Sequence, residues 1–153
     1  LEVIRVQRIY PVLSDEYKYG LDMGHRDLKS DSSAVYGIYV DDELKKWGAS
    51  RHVKGRMNDY RAHNYGNDMF VREQIIEALK MGQSVYIEVY IFPDPKVKVE
   101  QLEIHGNMHD VAYIDGDSTS LERSLRSISI SEGFDEPWEK QPRGDVRHRN
   151  KRK

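Results

Sequence analysis

Hydrophobic and polar positions alternate most clearly over residues 85–91, where Val85, Ile87, Val89 and Ile91 interleave with Tyr86, Glu88 and Tyr90. That period of two predicts a strand, ended by Pro93-Asp94-Pro95. Residues 34–40 (Ala-Val-Tyr-Gly-Ile-Tyr-Val) are apolar or aromatic on both alternating faces, which predicts a strand buried on both sides. Asp41-Asp42 reads as a tight turn and residues 43–47 as the returning strand of a hairpin. Gly48-Ala49-Ser50 breaks the extension, and Ser50 reads as the N-cap of a helix over residues 51–62. Asn67 or Asp68 reads as the cap of a second helix, with Met69, Ile76 and Leu79 on one stripe and Gly82 as its stop. A third helix is predicted from about 119 to 131, because Leu121, Leu125 and Ile128 recur at helical spacing before Gly133. Residues 1–13 alternate roughly and predict an N-terminal strand that Pro11 ends or kinks. Residues 14–33 read as loop. Over 96–116 only Val97 and Val99 alternate, and no clear element follows.

The pattern therefore divides the chain into an N-terminal extension (1–33), a folded domain (34–139) and a tail (140–153) in which Val146 is the one apolar residue. At 153 residues, 38% hydrophobic and 33% charged, the chain can bury one core and is too short for two. There are no cysteines, which excludes disulfides, thiolate metal sites and a thiol nucleophile. No apolar run approaches the roughly 18 residues of a membrane span, and no signal segment is present. An intracellular, cytoplasmic protein is expected.

Charge changes the picture more. The net charge of −2 conceals two basic segments. Residues 45–61 carry Lys45, Lys46, Arg51, Lys54, Arg56 and Arg61 against Asp59 alone, and residues 140–153 carry seven cations against Asp145. Segregation on this scale focuses a field on an anionic partner. The tail reads as mobile and solvated.

Within the first basic segment, Tyr36 lies on the first hairpin strand, Lys46 on the second, and Arg56 and Tyr60 one turn apart on the following helix. A hairpin packed on a helix can bring these four together. Two phenols and two cations suit an oxyanion centre: Arg grips a phosphate by its fork, Lys acts as a point charge, and a Tyr can accept a proton. The plainer readings are strand packing for the tyrosines and solvation for the cations. His63 follows Tyr60 by three positions and is placed to meet a phosphate or to offset the helix dipole. His105 and His109 have a metal-pair spacing without a third ligand. Thr119-x-x-Glu122 has the form of a capping box.

With those residues in view, the chain resembles the GIY-YIG nuclease family, and in spacing its phage and type II restriction endonucleases. A literal Gly37-Ile38-Tyr39 is present, but the spacing favours another register. With Gly48 as the second motif's glycine, Lys46 takes the second motif's Tyr position, Arg56 falls ten residues on, and Tyr36 lies ten residues before. Tyr36 is then the catalytic phenol, with Tyr39 as the alternative. The helix bearing Leu121-Glu122 and the downstream Pro137-Trp138 resemble the family's metal-binding helix and its Pro-Trp-Asn. The chain departs from the family at Lys46, for Tyr, and at Glu139, for Asn.

The resemblance implies an α+β fold with a small three-stranded antiparallel sheet (about 34–40, 43–48 and 84–92) flanked by helices. It implies a DNA endonuclease with Tyr36, Lys46, Arg56, Tyr60 and Glu122 as catalytic residues, and Glu122 as ligand to one Mg²⁺ or Mn²⁺ per site. Lys45, Arg51, Lys54, Arg61 and His63 would contact double-stranded DNA, and a homodimer would cut both strands. The alternative is a nucleic-acid-binding module of the same fold whose catalysis has decayed through the changes at 46 and 139.

Overall fold

The computed structural model describes residues 3–29, 31–92, 97–114 and 117–139, with the backbone alone at 97 and 98. The basic tail from Lys140 onward lies outside them. In chain order the elements are β1 (Arg5–Ile9), β2 (Val12–Leu13), β3 (Leu21–Asp22), a 3₁₀ turn (His25–Asp27), β4 (Ala34–Val40), β5 (Glu43–Ser50), α1 (Val53–Ala62), α2 (Gly66–Lys80), β6 (Val85–Ile91), β7 (Val97–Ile104), β8 (Asn107–Ile114) and α3 (Ser118–Ser131). None of the helices is long and apolar enough to cross a membrane.

The fold is mixed α+β, but its central sheet has four strands rather than three. The order is β1-β6-β4-β5, antiparallel throughout. The added strand comes from the N-terminal segment: Arg5 pairs with Ile91 and Ile9 with Ile87. Ile9 is fully buried there, so Arg5–Ile9 completes the sheet. A second correction concerns residues 97–114, which form the β7–β8 hairpin. Its turn residues His105 and Gly106 both have positive φ, as do Asp41 and Asp42 between β4 and β5. Positive φ at both central positions matches the twist of a two-residue hairpin. Asp41 tolerates it because its backbone N–H donates to Ser84 O and its carboxylate accepts from Ser84 N–H.

The sheet is the middle of three layers. Ala34, Tyr36, Ile38 and Val40 face one side, against Val53, Met57 and Tyr60 of α1 and Val71, Ile75 and Ala78 of α2. Val35, Tyr39, Leu44, Trp47, Tyr86 and Tyr90 face the other, against α3 and the β7–β8 hairpin. Every residue of β4 is buried, as its double-faced apolar pattern predicts.

The helix starts differ from expectation. α1 begins at Val53 with His52 before it, and the Ser50 hydroxyl accepts from His52 N–H in the preceding turn. α2 begins at Gly66 with Tyr65 before it, because the Asp68 carboxylate is engaged elsewhere. Its core stripe is Val71, Ile75 and Ala78, with Ile76 and Leu79 at the margin and Met69 only half-buried. Gly82, at φ 79°, ends it as predicted.

Two glycines of the opening hairpin are explained by contacts. A Cβ at Gly37 would lie 2.9 Å from Trp47 Cζ3, so the glycine of the literal Gly-Ile-Tyr makes room for an indole. A Cβ at Gly48 would overlap the ring and hydroxyl of Tyr36. Gly48→Ala should therefore lower stability in chemical denaturation by about 1–3 kcal/mol, the usual range for overpacking a core. An unchanged midpoint would mean that the Tyr36 ring can leave its place.

Candidate active site

Tyr36 sits opposite Gly48 in the β4–β5 register, and the missing side chain lets its ring lie across the neighbouring strand. Its hydroxyl is 2.8 Å from that of Tyr60, and the two rings meet edge to face at 86°. Tyr60 reaches this point because Val53, Met57 and Tyr60 form the buried stripe of α1. Arg56, one turn earlier on that helix, lays its guanidinium 4.3 Å over the Tyr60 ring centroid. Arg56 also donates to Asp68 Oδ1 at 2.8 Å, and Asp68 Oδ2 is 2.8 Å from His63 Nδ1.

The electrostatics follow from this packing. Burial, reinforced by the neighbouring Tyr36 oxygen, raises the Tyr60 pKa well above the usual phenol range and keeps it protonated. For Asp68, burial would favour the neutral acid, but the hydrogen bond and charge of Arg56, then His63, hold the carboxyl below its ordinary value. Burial also opposes the charge on Arg56, and Tyr36, Tyr60 and Asp68 more than offset it.

Lys46 reaches the same face through a β-bulge. Ile38 pairs with Lys46 but Tyr39 pairs with Leu44, so Lys45 is the extra residue. In an unbulged strand Leu44 and Lys46 would point the same way. The bulge reverses the phase, so Leu44 packs under α3 and Lys46 joins the side of Tyr36 and Ile38. The segment after α3 then closes over the β5 edge: Trp138 N–H donates to Lys45 O, and Trp47 N–H donates to Glu136 Oε1. This brings Glu139 Oε1 to 2.7 Å from Lys46 Nζ, a lysine only 7% exposed. Positions 46 and 139 thus form one ion pair.

Glu122 stands beside that pair. The capping-box reading fails, since the Asp117 carboxylate accepts from Thr119 N–H and Ser120 N–H. Glu122 is free of that duty and accepts from Arg126 at 3.1 Å, while Arg126 also holds Glu136 at 2.5 Å. Burial raises the Glu122 pKa; Arg126 and Lys46 pull it down, and Glu139 pushes it up. Among the described residues no three His, Cys, Asp or Glu side chains converge as a metal-binding group. A hard divalent ion that keeps its waters needs only one or two carboxylates plus phosphate oxygens, however. The half-buried Glu122 carboxylate, with Glu139 close enough to shift its pKa, fits Mg²⁺ or Mn²⁺ in donor type.

Tyr36, Arg56 and Tyr60 thus form one cluster, and Lys46 and Glu122 a second along the β5 edge. Tyr39 projects to the opposite face, stacked on Tyr86 at 5.0 Å. Of the basic residues, Arg61 lies over the Tyr17 ring and donates to Asn58, Lys45 pairs with Glu43, and Arg51 is exposed beside the α3 start. Lys54 is half-buried on α1, and His63 stacks on Tyr65. His105 and His109 do not pair: His105 meets Ser129 and stacks on Phe134, and His109 meets Glu132. Asp68 and Arg126 were missed from sequence. Arg126 carried a signal, the i,i+4 spacing from Glu122; Asp68, twelve positions from Arg56, carried none.

No family model and no curated protein matches the chain. Among solved structures it is similar to a mutant of bacteriophage T4 EndoII, at TM-score 0.49 and 14% identity over 91% of this chain and 92% of that one.

The lowered Asp68 pKa has a direction in pH. Its contribution to stability is complete above the ordinary Asp value of about 4 and is lost as pH falls through the lower folded value. Wild type should therefore lose stability below about pH 4 more steeply than Asp68→Asn, read from urea midpoints across pH. Parallel profiles would contradict the Arg56–Asp68–His63 arrangement.

Proposed function

We propose that the chain is a divalent-metal-dependent DNA endonuclease that hydrolyses phosphodiester bonds in a single step. The observation that carries this reading is the convergence of Tyr36, Tyr60 and Arg56, drawn from a strand and a helix, on the sheet side that the Lys45 bulge turns Lys46 towards.

In this reading the Tyr36 oxygen takes the proton of the attacking water. For this Tyr36 acts as the phenolate, and Tyr60, kept protonated by burial, donates its O–H to that oxygen and stabilises the negative charge that the water's proton then neutralises. Arg56 is the half-exposed member of the cluster and grips a non-bridging phosphate oxygen, while Asp68 and the Tyr60 ring fix its fork. Lys46 stabilises the water or the developing charge, and its partner Glu139, at the more exposed end of the pair, yields to the incoming phosphate. Glu122 would hold Mg²⁺ or Mn²⁺, which when bound supplies Lewis-acid stabilisation of the leaving oxygen.

The pairing of Lys46 with Glu139 weighs against decay. Independent losses at two motif positions would leave two unrelated side chains, not a lysine and a glutamate within bonding distance. Near-complete burial of Tyr36, at 1% exposure, favours the competing reading of a nucleic-acid-binding module without catalysis. Incubating supercoiled plasmid with Mg²⁺ or Mn²⁺ separates the two: the first nicks or linearises it, the second only retards it.

Arg56→Ala and Glu122→Gln should each lower cleavage by about a hundredfold or more while DNA binding survives. Undiminished turnover in either variant would remove that residue from the mechanism. Lys45, Arg51, Lys54, Arg61, His63 and the cations of the tail supply sequence-independent affinity for double-stranded DNA, and a homodimer presents two sites to two strands. Affinity should therefore fall about a hundredfold or more between ~50 and ~200 mM salt. A flat salt dependence would count against a nucleic-acid substrate.

A further inference from the structure

The other face of the sheet holds a feature that phosphodiester chemistry does not use. β6 carries Tyr86, Glu88 and Tyr90 towards the layer of α3 and the β7–β8 hairpin, so a carboxylate is set between two buried phenols. A cleft of about 490 Å³ opens there, between β1, β6 and the turn at His105-Gly106. That volume is in the range of small-molecule sites. Tyr39 and Tyr86, stacked at 5.0 Å, line its inner wall, and Phe134 stacked on His105 lines the opposite side.

The lining is acidic as well as aromatic. Asp42, Glu88 and Glu103 face the cleft against a single guanidinium, that of Arg8. Burial lowers the His105 pKa, so the imidazole adds no positive charge. Burial likewise pushes the Tyr86 phenol up to about 12 and the phenols of Tyr39 and Tyr90 higher still, so the rings stay neutral. Neutral aromatic faces with carboxylates at their edges are the chemistry that holds an organic cation.

Arg8 already demonstrates that recognition within the chain. Its guanidinium lies 3.9 Å over the Tyr86 ring centroid and donates to Glu88 Oε2 at 2.7 Å. The side chain comes from the edge strand β1 and remains 42% exposed, so it fills only part of the cleft and can swing out. Among the described residues no cation pairs with Asp42, which accepts from the Tyr86 hydroxyl, or with Glu103, exposed at the rim.

We propose that this cleft binds an organic cation of the alkylguanidinium or alkylammonium class, with Arg8 as an internal occupant that the ligand displaces. The head group lies against Tyr86 and Tyr39, with Glu88 as its principal counter-charge and Asp42 and Glu103 taking up a second positive end. A nucleotide or other anion is disfavoured by the same carboxylates. The site is independent of the cluster around Tyr36, on the opposite side of the sheet.

The test titrates the full chain with agmatine, with the capped peptide acetyl-glycyl-arginyl-glycine amide, and with uncharged butylurea, followed by calorimetry and by NMR of the His105 ring. Agmatine should saturate wild type. Arg8→Ala should bind it about tenfold tighter, the factor expected when an internal occupant present nine-tenths of the time is removed. Glu88→Gln, read in the Arg8→Ala background so that Arg8 is not left unpaired, should weaken it by about tenfold or more. Peptide binding equal to that of agmatine identifies a side chain as sufficient ligand; binding of agmatine alone identifies a small solute. No saturation by either in Arg8→Ala, affinity unmoved by Glu88→Gln in a variant with a native melting profile, or equal binding of butylurea would overturn the proposal.

Discussion

The ring of Tyr36 lies in the space that a side chain at position 48 would occupy, and the candidate site is built outward from that contact. Pinned against β5, the ring can direct its hydroxyl only towards α1, where Tyr60 meets it. The pairing gives each of two buried hydroxyls a hydrogen-bond partner and holds the rotation of α1 about its axis. That rotation sets Arg56 over the Tyr60 ring, at the margin between core and solvent. A strand glycine, two phenols and one helical turn thus convert a packing problem into the placement of a cation.

The β5 edge obeys a different constraint. An edge strand with free N–H and C=O groups is a liability, and here the residues after α3 cover it. The covering carries carboxylates with it, Glu136 on Arg126 and Glu139 on Lys46. A buried lysine needs such a partner, because an unpaired ammonium at that depth would carry a desolvation cost of several kcal/mol. The bulge at Lys45 makes the arrangement possible by reversing the phase of the strand between Leu44 and Lys46. Glu122 gains its partners from the same closure, so the second half of the site depends on the chain folding back over an edge.

The two faces of the central sheet divide the chemistry by charge. On the α1 and α2 side Arg56 lies over the Tyr60 ring; on the other, Glu88, Asp42 and Glu103 line the cleft with Tyr39, Tyr86 and Tyr90. β4 is the partition, carrying Tyr36 to one side and Tyr39 to the other. The literal Gly37-Ile38-Tyr39 therefore points away from Arg56, and its glycine serves Trp47.

By itself the sequence determined the strands and helices whose period is unbroken: β4, its return in β5, β6, and the ends of α2 and α3 at Gly82 and Gly133. It also determined the spacing from Tyr36 through Lys46 and Arg56 to Tyr60, because local pattern and helical turn are properties of neighbours in the chain. The tertiary structure decided the rest. The alternation of the N-terminal strand was legible, but its place beside β6 in the central sheet was not, because pairing depends on which edge the fold leaves open. Asp68 stays in the first turn of α2, but its carboxylate is taken by Arg56 and His63 instead of a backbone N–H, since a charge-assisted bond to a partly buried guanidinium is the stronger one. Glu122 was released from capping by Asp117, and Glu139 met Lys46 across 93 positions. Each of these is a contact between distant residues, chosen by burial and charge once the layers had closed.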